Sequence, residues 1–248
     1  MTPSPILNVL STLRRNGVRS LLMGGQACVL YGAAEFSRDT DVVVLSDDDN
    51  LERLRSAVGE LRADVIAVPP FEKRHLEAGH SVHFRCHAPG VEGMRLDVMA
   101  RIRGLPDFAD LWERRSTIDT DDGPIDVLSL PDLVTAKKTQ RDKDWPMIAR
   151  LMEADYAFSD ARADAVRVAF WLQELRTPSL LIEVARSDAD AARAASAARP
   201  LLAHALAGDA IALAAALRAE EDREREVDRQ HWAPLRLELE ELRRARRG

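Results

Sequence analysis

The chain has 248 residues, of which 46% are apolar and 5% aromatic, so a packed core is affordable but must be built largely from Leu, Val and Ala. The formal net charge of −6 argues against a protein that grips nucleic acid over a broad surface, although a local basic groove stays open to it. Two cysteines, Cys28 and Cys86, lie outside any C-x-x-C pair and exclude a disulfide framework. With no signal-peptide pattern and no apolar run of the roughly 18 residues that a membrane span needs, a soluble cytoplasmic chain with no membrane contact is expected.

In chain order, Pro3 to Arg15 carries apolar residues at helical spacing (Ile6, Leu7, Val9, Leu10, Leu13), and Gly17 ends that helix. Ser20 to Met23 reads as a buried strand that stops at a tight turn, Gly24-Gly25, before a short helix over Gln26 to Tyr31. Thr40 to Leu45 is rich in β-branched residues and is the clearest strand. Asp47 to Asn50 offers N-caps for a helix over Leu51 to Leu61. Ala63 to Val68, Ser81 to His87 and Met94 to Met99 read as strands, the last two joined as a hairpin through Pro89-Gly90 and Gly93. A turn at Asp121 to Pro124 precedes a strand at Ile125 to Leu128, and Pro131 opens a helix through Lys138. A further helix is expected over Asp142 to Glu153, and helical periodicity fills the rest from about Asp160, broken near Pro178, Pro200 and Gly208. The expected fold is α/β (α+β): a small mixed sheet flanked by helices over residues 1–155, then an all-helical region over 156–248.

Three carboxylates stand out. Asp39 and Asp41 flank one residue at the start of a strand, so alternation puts both on one face. Carboxylates so placed repel unless a cation lies between them, and Mg²⁺ favours such oxygen ligands together with substrate phosphates. Asp97 is acidic within an otherwise apolar strand, and if that strand lies beside the first, the three converge as two-metal phosphoryl transfer requires. Asp97 is also placed to take a proton from an attacking hydroxyl. Gly24-Gly25, between a strand and a helix, offers backbone N–H groups and room for a triphosphate. Each feature alone has a plainer explanation: Asp39 as a turn cap, Asp41 paired with Arg38, Asp97 paired with Arg95 or Arg101. Their combination favours a metal site.

This pattern resembles the nucleotidyltransferase superfamily of DNA polymerase β, in which Gly-Gly or Gly-Ser, a short helix and D-x-D on a strand precede a later strand Asp. Nearer look-alikes are stand-alone bacterial nucleotidyltransferases such as the AbiEii and MenA-type toxins of toxin–antitoxin systems. They share Leu130-Pro131-Asp132-Leu133 followed by a Lys-rich helix and Arg-x-Lys-Asp, here Ala136 to Asp144. The resemblance covers about Leu13 to Leu151. It implies a nucleotidyltransferase fold, an NTP substrate, and Mg²⁺ (or Mn²⁺) on Asp39, Asp41 and Asp97, with Asp97 completing the metal site or acting as base. It also implies phosphate binding by Gly24, Gly25, Lys137, Lys138, Arg141 and Lys143. The superfamily often has Ser where Gly25 stands.

The expected reaction is transfer of a nucleoside monophosphate to a hydroxyl of RNA, protein or a small molecule, in a toxin–antitoxin or defence setting. A non-catalytic module that binds a protein partner through its helical C-terminal region, and an antibiotic-adenylating enzyme, are the rivals. The basic segment Lys137–Lys143 is read as a helix with Lys137, Arg141 and Asp144 on one side, where a solvated face competes with phosphate contact. His75, His80, His83, His87 and Cys86 are close in sequence, but alternation splits His83 and His87 from His80 and Cys86, which disfavours zinc. His83 and Arg85 are placed to face the cleft instead. Trp112 and Trp145 are expected in the core.

Overall fold

In the computed structural model, residues 4–120, 123–159 and 163–247 are described. The expected turn at Asp121-Asp122 and the change of pattern at Asp160 therefore lie outside the described residues.

The chain begins with α1 (Pro5–Arg15), β1 (Ser20–Met23), α2 (Gly24–Leu30) and β2 (Asp39–Val44). It continues through α3 (Asp48–Glu60), β3 (Asp64–Val65), α4 (Lys73–Ala78), β4 (Val82–Arg85) and β5 (Arg95–Met99). Next come α5 (Phe108–Glu113), β6 (Ser116–Ile118), β7 (Ile125–Val127), α6 (Leu130–Ala136) and α7 (Asp144–Phe158). The remainder is helical: α8 (Ala165–Glu174), α9 (Pro178–Ser187), α10 (Ala189–Ala195), α11 (Leu202–Ala207) and α12 (Ala210–Arg247). The expected class, a mixed sheet with helices followed by a helical region, is the one observed. No helix among the described residues is long and apolar enough to cross a membrane.

The seven strands form one sheet in the order β3-β4-β5-β2-β1-β7-β6. The β2–β5 and β1–β7 pairs are parallel and the other neighbours antiparallel. The expected β4–β5 hairpin is present, with His83 opposite Asp97 and Phe84 opposite Leu96. One face of the sheet is closed by a core of Val42, Val44, Val82, Phe84, Leu96 and Val98 packed with Leu51 and Leu54 of α3 and Leu76 of α4. Full burial of such a side chain contributes about 1.5–3 kcal/mol each, which fixes the register because a one-residue slip would expose the whole set. Asp47 caps α3 by accepting from the Asn50 N–H at 2.7 Å. Asn50 itself, buried, ties the Arg19 and Leu45 carbonyls together through its amide.

Two compact units emerge: residues 1–30, 34–136 and 230–248, and residues 31–33 with 137–229. The sequence reading divides the chain near residue 155, whereas this division falls at Lys137. Helix α12 begins in the second unit and ends in the first. Pro234 lies within it, where the ring removes a backbone donor and favours a bend.

Several elements differ from expectation. α2 starts at Gly24 itself, not two residues later. The strand expected over Ala63 to Val68 shrinks to Asp64–Val65 at the sheet edge. α4, α5 and β6 carry too few residues for a readable period. The segment Lys137–Lys143 is a connection between α6 and α7 and not a helix. Its polar groups bind locally instead: the Thr139 hydroxyl donates to Asp144 Oδ2 at 2.6 Å, and the Trp145 indole donates to the Thr139 carbonyl at 2.8 Å.

Candidate active site

Strand pairing assembles the acidic site. β2 and β5 run parallel with Asp41 opposite Asp97 and Asp39 opposite Arg95. β1 places Met23 opposite Asp41, and β4 places His83 opposite Asp97. Residues directly opposite share a face, so Met23, Asp41, Asp97 and His83 form one row across four strands, with about 4.8 Å between neighbouring strands. Thr40, Leu96 and Phe84 point the other way and are buried. The alternation that puts Asp39 and Asp41 on one face is thus realised, with Asp97 on the same face beside them.

Asp97 is not a bare carboxylate. Its Oδ1 accepts from Arg95 Nε at 2.8 Å and pairs with His83 Nδ1 at 2.9 Å. Arg95 Nη2 also lies 3.1 Å from His83 Nδ1. Burial of Asp97 works against its charge, yet the hydrogen bonds from His83 and Arg95 prevail and hold its carboxyl below the usual range. The Asp97 carboxylate likewise raises the Arg95 pKa against a desolvation penalty, with Asp39 and Asp41 adding to the attraction. Arg95 is therefore an internal counter-ion facing all three acidic residues.

The two glycines are shaped by what lies against them. A Cβ on Gly24 would overlap the Asp41 carboxylate, and Gly24 has φ +70°, a conformation that side chains disfavour. A Cβ on Gly25 would come within 2.7 Å of Ser37 Oγ. Ser37 therefore brings a hydroxyl to the glycine turn from the loop before β2. The sequence reading missed it, since nothing in the local pattern relates position 37 to position 25.

The chemistry of the donor set fits a hard divalent cation, since Asp41 and Asp97 are adjacent carboxylates on neighbouring strands. As the side chains stand, no three His, Cys, Asp or Glu among the described residues gather into a coordination cluster. Arg95 and His83 both engage Oδ1 of Asp97, which leaves its other carboxylate oxygen as the one for a cation.

The basic residues named from the sequence belong to the second unit. Lys137 is buried and its Nζ lies 3.4 Å from Asp144 Oδ1, while Arg141 Nε donates to Asp144 Oδ2 at 2.7 Å. Lys138 donates to Glu174 at 2.8 Å, and Lys143 is exposed at the start of α7. Burial opposes the Asp144 charge, but the Lys137 charge, the Thr139 hydrogen bond and Arg141 pull its pKa down. Three of the four basic side chains thus have acidic partners within their own unit. The motif residue Asp132 is also structural here: it accepts from Arg114 Nε at 2.7 Å and Nη2 at 2.5 Å, and from the Ser129 hydroxyl at 2.7 Å.

Among the other histidines, the His75 and His80 rings meet edge to face with centroids 5.9 Å apart. His80 pairs with Glu238 at 2.7 Å and His87 with Asp64 at 3.5 Å, while Cys86 is buried and its thiol is pushed up to about 11 by desolvation. Trp145 is buried, whereas Trp112 is only half-buried, flanked by Arg19 and Arg115 at 4.7 and 4.1 Å.

No protein-family model and no curated protein sequence matches the chain. Among solved structures, it is similar to an antigenic nucleotidyltransferase-like protein from Paracoccidioides brasiliensis, with 15% identity and a TM-score of 0.41, covering 74% of this chain and 94% of that one. A likeness that loose assigns no family.

Proposed function

We propose that the chain is a metal-dependent nucleotidyltransferase of the DNA polymerase β-like kind. It would move a nucleoside monophosphate from an NTP to an acceptor hydroxyl. The observation that carries this reading is the register that sets Asp41 beside Asp97, with Gly24 directly against Asp41. In the reaction the acceptor hydroxyl gives up its proton to solvent water, its oxygen bonds to the α-phosphorus, the bond from that phosphorus to the bridging oxygen breaks, and pyrophosphate leaves.

Asp39 and Asp41 would hold Mg²⁺ or Mn²⁺, which when bound offsets charge on the transferring phosphate and the leaving oxygen. Gly24 and Gly25 leave room for the triphosphate, and the Ser37 hydroxyl beside Gly25 supplies a donor at the turn. The depressed pKa of Asp97 makes it a weak base, which suits a ligand or positioning role better than proton removal. Arg95 is a cation beside the carboxylates and would be able to exchange Asp97 for a phosphate oxygen. The reaction so described is carried by residues of the first unit alone.

One observation favours a second reading, a non-catalytic module: Arg95 and His83 already neutralise Asp97 without a metal. Incubation of purified protein with each α-labelled NTP, Mg²⁺ and total cell RNA and protein separates the two. The enzymatic reading expects label transfer that Asp41→Asn abolishes while the melting temperature holds. No transfer from any NTP, or transfer that survives Asp41→Asn, would exclude it.

A further inference from the structure

On the face of the sheet turned away from the carboxylates, the first unit carries a cavity of about 260 Å³. The register fixes that face: Met23 lies opposite Asp41, so Leu22, opposite Val42, points the other way. Buried Leu22 and Ile125, half-buried Leu7 and Leu10 of α1, and the Trp112 ring of α5 supply the apolar lining. An apolar cavity of about 150 Å³ already accommodates benzene, so this one has room for roughly two fused rings.

The charged groups around this cavity are not equivalent. Arg115 and Arg19 both lie over the Trp112 ring, 4.1 and 4.7 Å from its centroid. Arg115 is paired: its Nε donates to Asp126 Oδ1 at 3.0 Å and its Nη1 to the Trp112 carbonyl at 2.5 Å. Asp126, which also lines the cavity, accepts in addition from the Thr117 hydroxyl at 2.7 Å. Arg14 donates to the Pro124 carbonyl at 3.1 Å. Among the described residues, no carboxylate or carbonyl accepts from the Arg19 guanidinium, although Arg19 lines the same cavity. Its main chain is clamped: buried Asn50 accepts from the Arg19 N–H at 2.7 Å and donates to the Arg19 carbonyl at 3.1 Å. A guanidinium anchored through its backbone and stacked on an indole, with its donors unused, is a group prepared for an anion.

We infer that this cavity binds a small planar organic acid, with its ring system against Leu7, Leu10 and Leu22 and its carboxylate on Arg19. The leucine and isoleucine lining selects a hydrocarbon body, the Trp112 ring favours an aromatic one, and the unpaired guanidinium selects a negative charge. A nucleotide or another strongly polar anion would set its polar groups against apolar side chains that offer them no partner. The site is separate from the acidic row. Met23 and Gly24 follow Leu22 directly, but Met23 faces the other side of the sheet, so a molecule in the cavity lies behind β1 and leaves Asp41 and Asp97 open. The inference stands on the cavity alone and is independent of nucleotide transfer.

The test is isothermal titration calorimetry of the full-length protein with 2-naphthoate. Naphthalene-2-methanol and 2-naphthylmethylammonium serve as comparisons, since they keep the rings and change the charge. The carboxylate should bind at one site, the alcohol about tenfold more weakly, and the ammonium more weakly still. Arg19→Gln should weaken 2-naphthoate about tenfold and leave the alcohol unchanged. Leu10→Trp, which fills the cavity, should abolish binding of both. Asp41→Asn should bind 2-naphthoate as the wild type does, so NTP labelling and probe binding fail independently; loss of probe binding in that variant would move the ligand to the carboxylates and overturn the inference. No binding of 2-naphthoate, equal binding of the three probes, or an affinity unchanged in Arg19→Gln overturns it as well. If Leu10→Trp fails to fold, photolabelling of the wild type with benzophenone-4-carboxylate decides: adducts at residues 7–22, 112 or 123–126 support the cavity, and adducts only elsewhere overturn it.

Discussion

The Asp41 carboxylate rests directly on Gly24, leaving no space there for even a methyl group. Gly24 is thus part of the mould that sets where Asp41 points, and the left-handed backbone at φ +70° adds a second reason for glycine. Gly24→Ala should displace the Asp41 side chain and destabilise the protein by about 1–3 kcal/mol. Urea denaturation reads the stability loss, and NTP labelling should fall with it. Gly25→Ala meets only the Ser37 side chain and should be partly rescued by Ser37→Ala. Equal behaviour of the two alanine variants would contradict this account.

Arg95 neutralises the acidic face in the absence of metal. Arg95→Met should therefore raise Mn²⁺ affinity of the NTP-free protein about three- to tenfold, corresponding to loss of roughly 1 kcal/mol of competition. A Mn²⁺ titration followed by electron paramagnetic resonance reads this directly. Unchanged or weaker affinity would remove Arg95 from the counter-ion role.

Asp144 links pH to stability. Its pKa is lowered in the fold from an ordinary 3.8, so its contribution is complete above that value and disappears as pH falls through the folded pKa. Unfolding midpoints measured from pH 5 down to pH 2 should drop less steeply in Asp144→Asn than in the wild type. At neutral pH the same change leaves Lys137 buried without its partner and should cost about 3 kcal/mol. Asp97 also has a lowered pKa and loses its contribution in the same direction, so some slope should remain in the variant.

The second unit contains a buried guanidinium whose geometry lysine does not reproduce. Arg199 donates to the Leu172 carbonyl at 2.8 Å, the Leu175 carbonyl at 3.2 Å and both Glu220 oxygens at 3.1 and 2.9 Å. Arg199→Lys should lower stability by about 2–4 kcal/mol because a single ammonium cannot serve all four acceptors. Chemical denaturation checks the magnitude, and a loss under about 0.5 kcal/mol would show that the network repacks around lysine.

The acidic row was legible because both of its causes are local. D-x-D on a β-branched run fixes one face by alternation, and Asp97 stands out against apolar neighbours. The partners of Asp97 were only half legible. Arg95 was weighed as its ion-pair partner and His83 as facing the cleft, but their convergence depends on the register of β4, β5 and β2, which no single segment encodes. Ser37 reaches Gly25 through a loop whose path has no periodic signature. The basic stretch misled for a physical reason: Lys137, Arg141 and Asp144 have helical spacing, yet Thr139 and Asp144 satisfy the backbone and side chains of a compact connection just as well.

By chain order, residues 137–229 are inserted within the unit that bears the carboxylates, and residues 230–248 return to it. Translation therefore delivers the whole second unit before the first has all its parts. His80 must wait, with its ring almost fully enclosed at the end, for Glu238 to emerge 158 residues later.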